Sequence, residues 1–197
     1  MGRVKIYYIK KSLLITVFSI PIVLCIKLCL SDTSSVKVEN NIERLRNTNS
    51  CPGCELFYAN LRGANLSSAN LISANLFHAD LSGANLTNAD LMHSYLNSAA
   101  LTDANLEGAD LTYADLNSAD LSAANLVGAN LTNANLTNAY LSGANFGGAN
   151  LTHAKLNNAE VIDTYFFGVK GLTLKQKNDL KKRGAIIETG ETEDNNH

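Results

Sequence analysis

Cys51 and Cys54, separated by Pro-Gly, form the pair of side chains best suited to chemistry in this chain. A CxxC pair suits a redox-active dithiol, half of a zinc site or a structural disulfide. A redox pair usually opens a helix beside a βαβ unit, and zinc needs further cysteines or histidines, the nearest here being His78. A structural disulfide needs only an oxidising compartment. We therefore favour the disulfide and keep the other two interpretations as alternatives.

Acidic side chains dominate the middle of the chain, although the net charge of the whole is only −2. An acidic surface repels phosphate, which disfavours binding of nucleic acid. No nucleophile, base and acid occur in a catalytic arrangement, so we predict no enzyme activity, no cofactor and no metal. Between residues 54 and 167 the only basic residues are Arg62 and Lys155, whereas the acids are Glu55, Asp80, Asp90, Asp103, Glu107, Asp110, Asp115, Asp120, Glu160 and Asp163.

Most of these residues belong to a five-residue repeat, Ala-Asn/Asp-Leu-x-x, which occurs about twenty-three times without an insertion. Leucine occupies every fifth position, and alanine lies two residues before it. We predict that both side chains face a narrow core, where a second large side chain per repeat would not fit. Representative core residues are Leu61, Leu81, Leu101, Leu121, Leu141, Phe146, Ala59, Ala79, Ala99, Ala119 and Ala139.

A five-residue period fits neither a helix nor a flat strand. Five residues of a helix turn the leucine by about 140°, which distributes it around the helix. In a strand an odd period places successive leucines on opposite faces. The period therefore predicts a coil in which each repeat forms one short side and then turns a corner. Asn or Asp suits such a corner, and so do the small residues that follow leucine.

The run ANLRGANLSSANLISANL, with its continuation to ANLTHAKLNNAEV, resembles the pentapeptide-repeat proteins. The resemblance implies an all-β solenoid, a right-handed quadrilateral β-helix with four repeats per coil and about five to six coils. The segment CPGCELFYANL resembles the start of exported cyanobacterial members, in which such a cysteine pair brackets the core. The segment GLTLKQKNDLKKRGAII resembles their C-terminal cap.

Short α-helical caps are predicted at both ends, because a solenoid otherwise exposes its apolar interior. Before the repeats, Val38, Ile42 and Leu45 share one helical face over residues 36–47, with Ser34 or Ser35 as the N-cap.

After the repeats, Thr173 and Gln176 have the spacing of a capping box, and Gly184 is a helix stop. The complete predicted organisation is a signal peptide or membrane anchor at 1–31, a linker and capping helix at 32–50, the β-helix at 51–168, a cap of helix and short extended segment at 169–189, and a disordered tail at 190–197.

The first thirty residues resemble a secretory signal in their order of charge and hydropathy. Arg3, Lys5, Lys10 and Lys11 precede an apolar stretch over residues 13–26. The sites for cleavage are poor, so a membrane tether through residues 12–30 is the alternative to a removed leader. Together with the resemblance, this predicts export to the periplasm or the thylakoid lumen.

Four repeats per coil sort the surface positions into columns of residues twenty apart. Asn65, Asn85, Asn105, Asn125 and Asn145 then form an asparagine ladder. Another region collects apolar and aromatic residues and is our candidate partner patch. Its residues are Ile72, Phe77, Met92, His93, Tyr95 and Tyr113.

These observations predict a non-enzymatic scaffold or protein-interaction module, a monomer with an unknown protein partner. The alternative is a cytosolic, DNA-mimicking regulator of DNA gyrase, a role that some pentapeptide-repeat proteins have. Three features oppose it here: no loops interrupt the repeats, the C-terminal end is predicted to be covered rather than free to dimerise, and an exported chain would not meet gyrase.

Overall fold

The computed structural model describes residues 22–188. Two helices lie in this part of the chain, α1 (Ile22–Thr48) and α2 (Leu174–Lys182). The boundary between two compact units falls after Ser35, so that the described part of the first unit is helical and the second contains the repeats. Within residues 22–188, no helix has both the length and the apolar composition required to cross a bilayer.

The repeats form single β-bridges between tight turns instead of long strands. In one repeat, the amide of Ala104 donates to the carbonyl oxygen of Leu101 at 3.0 Å, which closes a four-residue turn. The third residue of that turn, Asp103, has a φ of 57°. This is the backbone of a type II turn, which favours glycine or asparagine at that position. The same turn recurs along the repeats, and its third residue forms each corner of the coil.

The bridges join residues twenty apart in parallel, from Ser50↔Asn70 to Asn150↔Lys170. In one example, the amide of Asp120 donates to the carbonyl oxygen of Ala99 at 2.9 Å. The amide of Leu101 donates in turn to the carbonyl oxygen of Asp120 at 2.6 Å. Four repeats therefore complete one coil, and each coil satisfies the backbone of the next.

The interior is a continuous stack of leucine and alanine. Leu101 and Ala119 are fully buried, and so are the other leucines and alanines of the central coils. Phe146, which replaces one leucine, stacks on Phe166 one coil further on, with ring centroids 5.0 Å apart. Alanine two residues before each leucine leaves the room that these large side chains occupy.

Two polar side chains replace alanine inside the rod, with different outcomes. The hydroxyl of Thr164 donates to the carbonyl oxygen of Leu141 at 2.7 Å. Ser94 is 1% exposed, and its hydroxyl has no partner among the described residues. A buried hydroxyl without a partner is destabilising.

The C-terminal end of α1 packs on the first coil. Ile42 and Leu45 are buried there, and the Asn41 side-chain amide donates to the carbonyl oxygen of Glu55 at 3.0 Å. The expected start of this helix was wrong: Ser34 and Ser35 lie inside α1, not at its N-cap, and the expected linker is helical. Serine is only moderately less favourable than alanine within a helix, so these two residues do not interrupt it.

At the other end, the predicted capping box of Thr173 and Gln176 is confirmed. Leu180 of α2 is buried, and Ile186 bridges to Tyr165. Gly184, which follows the helix, has a φ of 94°, a conformation that glycine adopts without strain. The expected disordered tail at 190–197 lies outside the described residues, as does most of the expected leader.

Candidate interaction surface

Five ring-bearing side chains occupy corners at which the backbone is left-handed; the fifth is His153, and the other four stack in pairs. Tyr58, His78, His93 and Tyr113 have φ values between 54° and 58°. Most other corners carry glycine, serine, asparagine or aspartate, which fit this backbone better. We call these four residues the aromatic corners.

The aromatic corners stack in pairs along the rod. The rings of Tyr58 and His78 have centroids 5.1 Å apart and planes 11° apart. The rings of His93 and Tyr113 are also 5.1 Å apart, with planes 4° apart. Each pair joins residues twenty apart, and parallel strands lie about 4.8 Å from each other. The spacing of the coils therefore sets the spacing of the stacked rings.

Further aromatic side chains extend the first pair. The ring of Phe77 meets those of His78 and Tyr58 edge-on, with centroid distances of 4.2 Å and 5.9 Å. The ring centroids of Phe57 and Tyr58 are 6.2 Å apart. Tyr58 is 67% exposed and Tyr113 is 55% exposed. Large aromatic side chains that remain in solvent after stacking are typical of protein interfaces.

The structure brings together only part of the predicted partner patch. His93 and Tyr113 are in contact, and Ile72 and Met92 lie half-buried in the column beside them. Tyr95 is exposed and lies in the next repeat along the coil.

Phe77, the sixth residue of the patch, contacts His78 and also Tyr58, which the prediction did not include. Phe57 and Tyr58 were missed altogether. The twenty-residue column offered the signal, because Tyr58 stands directly before His78 in its column.

The cysteine pair lies under α1. The two sulfur atoms are bonded in the structure, and both residues are buried. The Arg44 guanidinium of α1 donates to the Cys54 sulfur at 3.8 Å. This places the pair between the helix and the first coil. The representative core residues of the sequence prediction are likewise in the interior, including Leu61 and Ala59 in the first coil.

The carboxylates and carboxamides between successive leucines hold the turns. The amide of Ser82 donates to Asp80 Oδ1 at 3.0 Å, and that of Ser122 donates to Asp120 Oδ1 at 3.0 Å. Hydrogen bonds from Ser82 lower the pKa of Asp80. Burial acts most strongly on Asp120 and raises its pKa, but the bonds from Ser122 and Thr102 together outweigh it, so the pKa is lowered.

The asparagine ladder is partly formed. Asn125 Nδ2 donates to Asn105 Oδ1 at 3.0 Å, and Asn85 Nδ2 donates to Asn65 Oδ1 at 3.4 Å. In residues 22–188, no group of three or more His, Cys, Asp or Glu side chains has the geometry to hold a metal ion.

A family model described as "Pentapeptide repeats" matches eight copies over residues 54–91, 89–128, 99–138 and 129–168, more than half of the chain. The chain belongs to the pentapeptide repeat family. No curated protein matches it. Among solved pentapeptide repeat proteins, one from the Arabidopsis thaliana thylakoid lumen is 35% identical, with 57% of this chain and 79% of that chain covered and a TM-score of 0.51.

Two further pentapeptide repeat proteins come from cyanobacteria. Rfr23 of Cyanothece 51142 is 33% identical, with 67% of this chain and 93% of that chain covered and a TM-score of 0.33. HetL of Nostoc is a pentapeptide repeat protein involved in regulation of heterocyst differentiation. It is 35% identical, with 61% of this chain and 63% of that chain covered and a TM-score of 0.20. This pentapeptide repeat chain is thus similar in sequence to plant and cyanobacterial members.

Proposed function

We propose that this chain is a non-enzymatic scaffold that binds a protein partner through its aromatic corners. Its rod is a right-handed quadrilateral β-helix of about five to six coils over residues 51–168. The segments at 32–50 and 169–189 cap its two ends, and residues 190–197 form a polar tail. The rod acts as a monomer and presents a rigid surface.

The observation that carries this proposal is the presence of large, exposed rings on corners whose backbone favours small residues. Tyr58 and Tyr113 adopt a left-handed conformation that costs a non-glycine residue about 1–2 kcal/mol. The same backbone occurs at other corners of the rod, and the four aromatic corners differ in carrying large rings that stack instead of small residues. The rings of Tyr58 and Tyr113 are exposed and are already ordered by stacking. Ordered aromatic side chains lose little further entropy when a partner covers them.

Three observations support an exported compartment. The bond between Cys51 and Cys54 requires oxidising conditions. Residues 1–31 have the composition of a secretory signal or an anchor. A relative at 35% identity comes from a thylakoid lumen. We therefore assign the chain to the thylakoid lumen or the periplasm, with residues 1–31 either removed or kept as a membrane tether.

The carboxylates argue against DNA mimicry as the function. Asp110 accepts hydrogen bonds from the amide and the hydroxyl of Thr112, and Asp115 accepts from the side chain of Asn135. Asp80 and Asp120 are similarly engaged by turn residues. Their positions follow from the chemistry of the turn, which needs an acceptor at this place in each repeat.

A comparison of captured proteins tests the proposed surface. Extracts of the source organism are passed over the immobilised parent and over a variant with Tyr58, His78, His93 and Tyr113 all replaced by asparagine. The matched control is Tyr140→Asn, which removes a tyrosine 51% exposed at a bridge position. We expect a partner that the parent and the control retain and the corner variant loses. Equal capture by all three would refute the proposal.

A further inference from the structure

The first coil has an edge that α1 covers only in part. The residues at its bridge positions have no preceding coil to pair with. Asn41 of α1 satisfies the carbonyl oxygen of Glu55. At Asn60 and Asn65, the backbone amide and carbonyl have no hydrogen-bond partner among residues 22–188. Such an edge is a template for a further strand.

A cleft lies beside this open edge. It has a volume of about 260 Å³ and lies between the last turns of α1 and the first coil. Its apolar lining comes from Leu45, Leu61, Leu66 and the half-buried Ala64. The cleft therefore places apolar lining residues beside the unpaired backbone groups of Asn60 and Asn65.

The cleft is also a basic region at the start of repeats that are otherwise mainly acidic. Arg46 and Arg62 line it, and both are exposed. Arg46 makes no ion pair within the described part of the chain. Arg62 lies 3.9 Å from Asp80, and both side chains are well exposed, so this pair is weak. An acidic ligand is attracted to these two arginines and repelled by the carboxylates of the central coils.

We propose that this edge binds an extended acidic segment of a partner protein by addition of a parallel strand. The geometry of the next coil specifies the pairing. There, the amide of Asp80 donates to the carbonyl oxygen of Ala59 at 2.9 Å, and the amide of Leu61 donates to the carbonyl oxygen of Asp80 at 2.8 Å. In the proposed complex, Asn60 has the role of Asp80. The amide of Asn60 donates to the carbonyl oxygen of the small residue of the segment, and the carbonyl oxygen of Asn60 accepts from the amide of the segment's apolar residue.

This pairing predicts the sequence of the bound segment. A small residue and an apolar residue, two positions apart, face the cleft as Ala59 and Leu61 face the core. The residue between them points outward, and an acidic side chain there lies on the basic part of the surface. The segment thus has the form small–acidic–apolar. Tyr58 lies two residues before Asn60, but the inference rests on backbone groups and charges and does not depend on the aromatic corners.

Titration of the full chain, labelled with ¹⁵N, with a synthetic peptide tests the inference. The probe is acetyl-Ser-Ala-Glu-Leu-Ser-amide. Two matched peptides change one feature each: N-methylation of its leucine removes the amide that would donate to Asn60, and glutamine in place of glutamate removes the charge. We expect the amide signals of Asn60 and Asn65 to shift on titration. The methylated peptide should bind about three- to tenfold more weakly, because one backbone hydrogen bond is lost.

A pair of protein variants tests the charge. Arg46→Gln should weaken binding of the acidic peptide about threefold and leave binding of the glutamine peptide unchanged, as expected for an exposed ion pair. Lys155→Gln, which removes an exposed cation elsewhere on the rod, should change neither. Equal binding of the methylated and parent peptides would overturn the inference, and so would shifts confined to the region of Tyr95. Shifts of Asn60 and Asn65 on concentrating the protein alone would assign the edge to a second copy of the chain and contradict a partner segment.

Discussion

The rings of His93 and Tyr113 lie face to face, with centroids 5.1 Å apart, on equivalent corners of two successive coils. Both residues have a left-handed backbone. The regular spacing of the coils holds them in contact, so their order does not depend on a binding partner. A surface prepared in this way differs from scattered exposed apolar residues, which are common on soluble proteins.

Replacement of Tyr113 by asparagine should leave the stability of the rod nearly unchanged. The variant loses the stack on His93, worth about 0.5–1.5 kcal/mol, but relieves left-handed strain of similar size. Asn133 already occupies the next corner of the same column. Urea unfolding of the variant and the parent measures the difference, with Tyr140→Asn as the control. A loss above about 3 kcal/mol would show that Tyr113 serves the fold rather than a surface function.

Replacement of Ser94 by alanine should stabilise the protein by about 1–2 kcal/mol, because it removes a buried hydroxyl without a partner. The comparison of unfolding midpoints in urea measures the gain. Ser67→Ala, at a half-buried surface position, is the control and should change stability by less than about 0.5 kcal/mol. Destabilisation by Ser94→Ala would contradict the absence of a partner for this hydroxyl.

Replacement of Ala119 by leucine should destabilise the central coils by about 1–3 kcal/mol or unfold them, because the interior has no space for the larger side chain. Ala100→Leu is the matched control. Ala100 is half-exposed at a bridge position, where added bulk can extend into solvent. Thermal unfolding of both variants measures the contrast. Similar melting of Ala119→Leu and the parent would contradict the inward position of the alanines.

The bond between Cys51 and Cys54 closes a short loop at the start of the repeats. Its removal in the double variant Cys51→Ala, Cys54→Ala should cost about 2 kcal/mol, the value expected for so short a loop. Unfolding in urea without reductant measures this cost. Mass spectrometry of the native protein provides the second test: a mass that includes both thiol hydrogens would contradict the proposed disulfide and the oxidising compartment.

Asp120 should make a stabilising contribution that disappears in acid. Its folded-state pKa is lowered, so folding favours the ionised form. The contribution is complete above the unfolded-state value of about 3.9 and is lost as the pH falls through the folded-state value. Asp120→Asn should therefore be less stable than the parent at neutral pH. The difference in free energy of unfolding between the two proteins should become smaller below about pH 4. Urea unfolding at both pH values measures it.

The variant Thr102→Val provides the complementary measurement, because it removes one hydrogen bond to Asp120 and keeps the carboxylate. We expect the stability of Thr102→Val to depend less on pH than that of the parent, so that this variant lies between the parent and Asp120→Asn in acid sensitivity. A difference between the parent and Asp120→Asn that stays constant with pH would contradict the lowered pKa of Asp120.

The repeat predicted the interior because its period leaves one geometry for leucine and alanine. The resemblance supplied four repeats per coil, and the twenty-residue columns that follow from this number placed His93 against Tyr113. The capping box of Thr173 and Gln176 was likewise predictable, since it depends only on local spacing.

Features that depend on three-dimensional packing were not predicted. The start of α1 was misplaced because Ser34 has the same residue type as a good N-cap but lies within a continuous helix. The open edge at Asn60 and Asn65 depends on where α1 crosses the first coil. No pattern in the sequence specifies that position.

Site-specific photocrosslinking tests the proposed binding surface most directly. A benzophenone amino acid is placed at Tyr113, and in a second protein at Tyr140, which serves as the control; both tyrosines are about equally exposed. After irradiation in extracts of the source organism, we predict a discrete crosslinked protein from position 113 and none from position 140. No product at Tyr113, or the same products at both positions, would contradict the assignment of the aromatic corners as the surface that binds the partner.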